Sequence, residues 1–452
     1  MDSSNVGNDM RVLMFPWLAV GHITPYLELA KKLSDRGFSV HFCSTPINLS
    51  FIKGKIPEKY SSSIQLVELH LPELPELPPH YHTTNGLPLH LNSTLEKALT
   101  MAEPTFSDIV GTMKPNLLIY DFRPPWPAAV AESHNVPAVR FVTSAAATCS
   151  YVSHLLSRPN TEYPFPEISL SVYDKERFEK MISHGRSNSN SNDTVDKNTI
   201  LLSTSREIEG SKYVDYVSEL AGSKVFTVGS LVQQQHQDEG RFGPLMEWLG
   251  TKEEKSTVLV SFGSEYFLSE YDMHQVAIGL EMSKVNFIWV VRFPKTLNET
   301  TLKNSDSLLE AALPHGFLER VGERGIVVEG WAPQIRILSH PSVGGFVSHC
   351  GWNSTMESIG CGVPIIAMPM HIDQPIDARL IVSIYVGIEV ERDESGKYHG
   401  EDLARACDEV VLGKTAEKIR RNVKVMSENI RATSLKEMDD VSIILAQLCF
   451  PH

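Results

Sequence analysis

Residues 331–374, WAPQIRILSHPSVGGFVSHCGWNSTMESIGCGVPIIAMPMHIDQ, bring together an indole, amides, a histidine, hydroxyls, a glutamate and a terminal Asp-Gln pair. These types suffice to hold a nucleotide sugar without a metal ion. The flat ring of Trp331 can stack on a uracil, and Gln334 stands at the start of an expected helix. Residues 349–354 (HCGWNS) read as a strand end turning into a helix, where free N–H groups and the dipole favour a pyrophosphate. There His349, Asn353 and Ser354 face the expected phosphates, with Ser264 joining them from VSFGS, where Gly263 permits close backbone approach. Glu357 falls one turn further along the same helix, where a carboxylate can accept from two ribose hydroxyls. Asp373 and Gln374 follow the apolar strand 363–368 and lie at a strand C-terminal end, where open α/β sheets place ligands.

A second group of residues can move a proton. His22 follows the first strand and the loop 16–21, in the first turn of a helix whose dipole should keep the imidazole neutral and basic. Asp121 ends the strand 116–120, expected beside the strand before His22. A carboxylate there can hold the ring's tautomer and stabilise the imidazolium that forms. The residues alone leave another role open, because Arg123, Pro124 and Pro125 follow at once and Asp121 can equally cap that turn.

The whole 331–374 segment resembles, without a gap, the signature box of plant family 1 UDP-sugar-dependent glycosyltransferases. The resemblance extends over essentially all of the chain and is loosest between residues 150 and 249. It implies the GT-B architecture, a UDP-sugar donor and no further cofactor. It also implies a catalytic base at His22 assisted by Asp121, and donor contacts that include Ala332, Gly351 and Trp352 beside the box residues already named. Gln374 resembles the glucose-using members, so UDP-glucose is the expected donor. FPWLAVGH, the run 69–88 (LHLPELPELPPHYHTTNGLP) and VSFGSEYFLS look like the branch that elongates sugar chains on flavonoid, diterpenoid or triterpenoid glycosides. A β-1,2 or β-1,6 linkage is then expected. Asn85 and Glu265 are the candidates for binding the acceptor sugar. Trp17, Phe122, Trp126 and Phe141 either wall the acceptor's apolar part or belong to the core.

The elements that must position these groups follow from periodicity. Strands are expected at 11–15, 39–44, 64–69, 116–120 and 138–142, and again at 257–261, 286–292, 326–329, 345–348, 363–368 and 387–391, alternating with helices such as 22–34. Two such series predict an α/β fold of two Rossmann-like domains facing across a cleft. The expected division is an acceptor domain at 1–232, a linker at 233–249, a UDP-sugar domain at 250–430, and a C-terminal helix at 431–452 that packs back on the first domain. The polar run 233–240 marks the boundary, and the low-complexity tract 183–198 reads as a surface loop.

A chain of 452 residues exceeds one ordinary core. Its net charge of −14 opposes binding to nucleic acid or an anionic membrane. Six cysteines without a CxxC pair indicate neither zinc nor a disulfide framework. The N-terminus lacks a signal-peptide pattern, and no run approaches the ~20 apolar residues of a membrane span, so a cytoplasmic monomer is expected. D-x-D, G-x-G-x-x-G and G-x-S-x-G are all absent from the sequence. Their absence argues against a metal-bridged diphosphate, a nicotinamide or flavin enzyme, and a nucleophile-elbow hydrolase. Direct transfer to an aglycone hydroxyl is the alternative activity, and a non-catalytic UDP-sugar-binding protein a remote one.

Overall fold

The computed structural model describes residues 10–188, 199–233, 242–293, 308–371 and 373–450. Short aliphatic runs buried on both faces suit parallel strands covered by helices. In the first half β1 (Met10–Phe15), β2 (Phe38–Ser44), β3 (Ile64–Glu68), β4 (Leu117–Tyr120), β5 (Ala138–Val142), β6 (Thr199–Leu202) and β7 (Val225–Thr227) form a seven-stranded sheet, ordered 3-2-1-4-5-6-7. In the second half β8 (Thr257–Ser261), β9 (Asn286–Val291), β10 (Gly325–Glu329), β11 (Val343–Ser348), β12 (Ile365–Ala367) and β13 (Gly387–Glu389) form a six-stranded sheet, ordered 10-9-8-11-12-13. The first strand of each sheet pairs in parallel on both sides: β1 with β2 and β4, β8 with β9 and β11. Strand order therefore reverses beside β1 and beside β8, and the carboxyl ends at such points open into ligand crevices.

Two strands escape the sequence reading, β6 and β7. They are only four and three residues long, too short for a period to register. The helix Val172–Asn188 enters the low-complexity tract read as a loop, whose residues 189–198 lie outside the described ones. Residues 234–241 of the expected linker lie outside them too. Its second half does not behave as a linker: Gly243–Gly250 is helical, and Phe242, Leu245 and Leu249 pack with Leu259, Ile288 and Phe346 of the second sheet. An expected boundary at residue 250 is thus too late.

The helix Ala416–Cys449, 34 residues long, serves both halves. Val423 and Ile430 join a cluster with Trp352, Ile359 and Ile376, whereas Met438, Val441, Leu445 and Cys449 complete the first core with Val12 of β1 and with Leu29 and Leu33 of the helix Val20–Ser34. Burying a Leu or Met side chain contributes roughly 1.5–3 kcal/mol. A half-exposed ion pair such as Arg36–Asp439 contributes about 1 kcal/mol at most. Apolar packing thus fixes the helix on the first sheet, and the polar ties Thr227–Glu437 and Ser230–Ser434 set its register. Among the described residues no helix is long and apolar enough to cross a membrane.

Candidate active site

Register places the first group. Phe15 of β1 pairs with Tyr120 of β4, so the residues that follow both strands emerge side by side. His22, in the first turn of the helix Val20–Ser34, brings Nδ1 to 2.8 Å from Asp121 Oδ2. That same oxygen accepts from the Trp17 N–H at 3.2 Å, and Thr143 Oγ1 lies 3.2 Å from His22 Nδ1. Asp121 is fully buried and holds the proton on Nδ1, which leaves Nε2 as the unprotonated nitrogen of the neutral ring. Burial pulls the His22 pKa down, yet the charge and hydrogen bond of Asp121, with Glu265 adding to them, raise it above the usual value. The helix dipole therefore does not set its protonation, contrary to the sequence expectation. The charge and hydrogen bond of Asp121 together outweigh burial, so His22 is a stronger base than a free imidazole.

The second group gathers at the carboxyl ends of β8, β11 and β12. Ser348 pairs with Ser261 on one side and Ala367 on the other. Beyond it Cys350 takes φ 66°, uncommon for a residue with a side chain, and the chain turns into the helix Trp352–Cys361. His349 packs between two glycines: a Cβ on Gly263 (φ +78°) would stand 2.6 Å from its Nε2, and one on Gly351 at 2.5 Å. Burial brings His349 down to about 4, so it stands neutral at this helix N-terminus. Gln334 begins the helix Gln334–Leu338, and its Nε2 bridges Ser354 Oγ at 3.1 Å and Glu357 Oε2 at 2.7 Å. Burial raises Glu357 to about 7, against the lowering effects of Gln334 and the Lys55 charge.

His22 and the box residues line one cleft of about 2380 Å³, with Asp121 buried behind His22, together with Ser264, Glu265, Asn85, Trp17 and Phe122. Trp331 is 56% exposed there, its ring meeting Phe242 edge-on at 5.5 Å, while Ala332 is buried beside it. Three box side chains have partners that sequence reasoning missed. Trp352 Nε1 donates to the Ser203 carbonyl, and Asn353 Nδ2 to the Gly21 carbonyl, both at 2.7 Å. These bonds fasten the box to the first sheet's loops. Gln374 Oε1 accepts from the N–H groups of Met370 and His371, leaving its NH₂ for a ligand. Asp373 stands at the N-cap position of the next helix, Gln374–Ser383, without a side-chain capping bond, and burial raises its pKa.

Two expected acceptor walls are not walls. Phe141 is fully buried in the first core, because alternation along β5 turns Arg140 and Val142 to the cleft and Phe141 to the opposite face. Trp126 packs against Phe15 and Phe106. An apolar lobe comes instead from Val142, Cys149, Val152, Phe178, Leu202 and Val217. Most of these stand on helices and strands that carry no motif, and only their alternation with polar neighbours hinted at them.

Comparison with known proteins agrees with this architecture. The family described as "UDP-glucoronosyl and UDP-glucosyl transferase" matches residues 224–440, and "Glycosyltransferase, N-terminal domain" matches residues 8–233. The beta-D-glucosyl crocetin beta-1,6-glucosyltransferase of Gardenia jasminoides is 50% identical over 96% of this chain and 98% of its own. A mogroside IIIx synthase of Siraitia grosvenorii is 47% identical over 98% of this chain and 93% of its own. Among solved structures, the Glycyrrhiza uralensis UGT complexed with glycyrrhetinic acid 3-O-monoglucuronide has a TM-score of 0.81 at 23% identity, covering 97% of this chain and 96% of that one. Two facing Rossmann-like sheets with a box of this composition define a GT-B glycosyltransferase. The chain belongs to the plant family 1 UDP-dependent glycosyltransferases, and it is an enzyme of that family.

Proposed function

We propose that the enzyme transfers glucose from UDP-glucose, with inversion, to a sugar hydroxyl of a small-molecule glycoside. The observation that carries this reading is His22, held at 2.8 Å by the buried Asp121 and lining the same cleft as the box helix N-terminus. His22 Nε2 takes the acceptor hydroxyl's proton as its oxygen bonds to C1 of glucose, on the face opposite UDP. The C1–O bond to UDP breaks, and the proton stays on His22, where Asp121 stabilises the imidazolium. The diphosphate's charge is met by the first N–H groups of the helix Trp352–Cys361, by neutral His349, and by Ser264 and Ser354. Glu357, held by Gln334, accepts from the ribose hydroxyls, and Trp331 stacks on the uracil. The Gln374 NH₂ and Asp373 take the glucose hydroxyls.

The donor and acceptor are supported by the relatives, whose names state a glucosyl transfer to an already glucosylated crocetin and a mogroside synthesis. We assign a β-1,6 linkage first and β-1,2 second. The six free cysteines, at separate positions along the chain, support action in the cytosol, and we take the working unit to be a monomer.

If this acceptor class is right, a monoglucoside exceeds its own aglycone by at least about tenfold in kcat/KM, because sugar-binding groups left unpaired by an aglycone each cost roughly 1–3 kcal/mol. Quercetin against its 3-O-glucoside, and steviol against its glucosides, make the comparison. Equal or faster turnover of the aglycones would transfer the assignment to direct aglycone glucosylation. With helix-terminus donors and neutral side chains holding the diphosphate, activity is also expected to survive EDTA. Loss on chelation, restored by Mg²⁺ or Mn²⁺, contradicts that arrangement.

A further inference from the structure

Proton transfer and donor binding leave a cross-domain group of four residues without a role. Thr84 and Asn85 are consecutive in the loop between β3 and β4, and each reaches the opposite half. Thr84 Oγ1 donates to Glu265 Oε1 at 2.9 Å, and Asn85 Oδ1 accepts from an Arg292 Nη at 3.2 Å. Glu265 follows β8 and Arg292 follows β9, strands that pair through Ser261 and Val290. Two neighbouring partners in one loop and two neighbouring strands bring the carboxylate and the guanidinium into one region of the cleft, near enough for the Glu265 charge to act on Arg292. All four residues line the cleft. The charge of Glu265 is felt both by Arg292 and by His22, which sets the group close to the base.

Arg292 carries five N–H donors, and among the described residues its one hydrogen bond goes to Asn85. Among the described residues Glu265 makes one side-chain hydrogen bond, through Oε1 to Thr84, and its second oxygen can accept from a ligand. A sugar hydroxyl both donates and accepts, so a paired donor and acceptor array fits a neutral diol. An uncompensated guanidinium would select a carboxylate instead.

We propose that Arg292 and Glu265 together read the terminal sugar of the acceptor, with Arg292 donating to its hydroxyls and Glu265 accepting from them. Arg292 is then the residue that makes a sugar necessary, and its compensation by Glu265 restricts the site to neutral sugars. The assignment rests on the glycoside-acceptor reading given above.

The test compares wild type, R292Q, R292K and E265Q with quercetin 3-O-glucoside and quercetin as acceptors, and quercetin 3-O-glucuronide as a competing ligand. R292Q is expected to lose at least about tenfold in kcat/KM on the glucoside, mainly through KM, with a much smaller loss on quercetin. R292K should recover part of that loss, and UDP affinity by calorimetry should hold. E265Q should bind the glucuronide several-fold better relative to the glucoside, because the freed cation attracts its carboxylate.

Equal losses of R292Q on both acceptors, or a fall in UDP affinity, make Arg292 a strap between the halves and overturn the proposal. Should R292Q fail to fold, an unchanged glucuronide-to-glucoside ratio in E265Q overturns it alone. Wild type that prefers bare quercetin removes the glycoside reading and this assignment together. Wild type that prefers the glucoside, with an R292Q that keeps the same preference, removes only the assignment of Arg292.

Discussion

Replacing His22 by alanine lowers kcat by roughly 10²–10⁴-fold, the usual effect of deleting a general base. UDP-glucose binding, followed by calorimetry, should change little, because the ring faces the acceptor's proton and its structural ties go to Asp121 and Thr143. The wild-type pH profile supplies a second readout. His22 acts only when neutral and its pKa is raised, so kcat/KM should climb with pH through an inflection above the ordinary histidine value. An alanine variant that keeps more than about a tenth of the activity would remove His22 from the chemistry.

Asp121→Asn is expected to lose roughly 10³–10⁴-fold, as when a catalytic histidine loses the carboxylate that holds its tautomer. Asp121 is fully buried, and its Oδ2 serves both His22 and the Trp17 N–H. An asparagine fits the space but carries no charge and can turn its NH₂ toward the ring. With the favourable charge gone, burial dominates at His22, and its titration moves to lower pH. NMR titration of the ring in the folded variant checks this sign directly. A His22 titration that stays where it is, with activity intact, would assign Asp121 to capping the turn at residues 122–125.

The box was legible because its chemistry is local: strand end, turn and helix N-terminus follow one another within residues 343–361. Most strands were legible for the same reason, as runs of β-branched and aliphatic residues. What pairs at long range was not. Asn353 meets the Gly21 carbonyl across 332 positions, and no spacing rule relates the two. The dipole argument at His22 used only its own helix, whereas the deciding charge is 99 residues away. For Phe141 the sequence left wall and core both open, and alternation along β5 decides it: its neighbours face the cleft, and it takes the other side. The linker's second half was misplaced because its apolar residues find their partners only once the second sheet exists.

The long helix Ala416–Cys449 also bears on how the chain is made. Met438, Val441, Leu445 and Cys449 fill the core of the sheet whose first strand begins at Met10. Domains usually fold as units, amino-terminal first, while synthesis continues. Here the core of the first sheet is completed only by residues more than 400 positions downstream of β1. Completion of the first core is thus tied to the end of the helix Ala416–Cys449, not to the end of the first half.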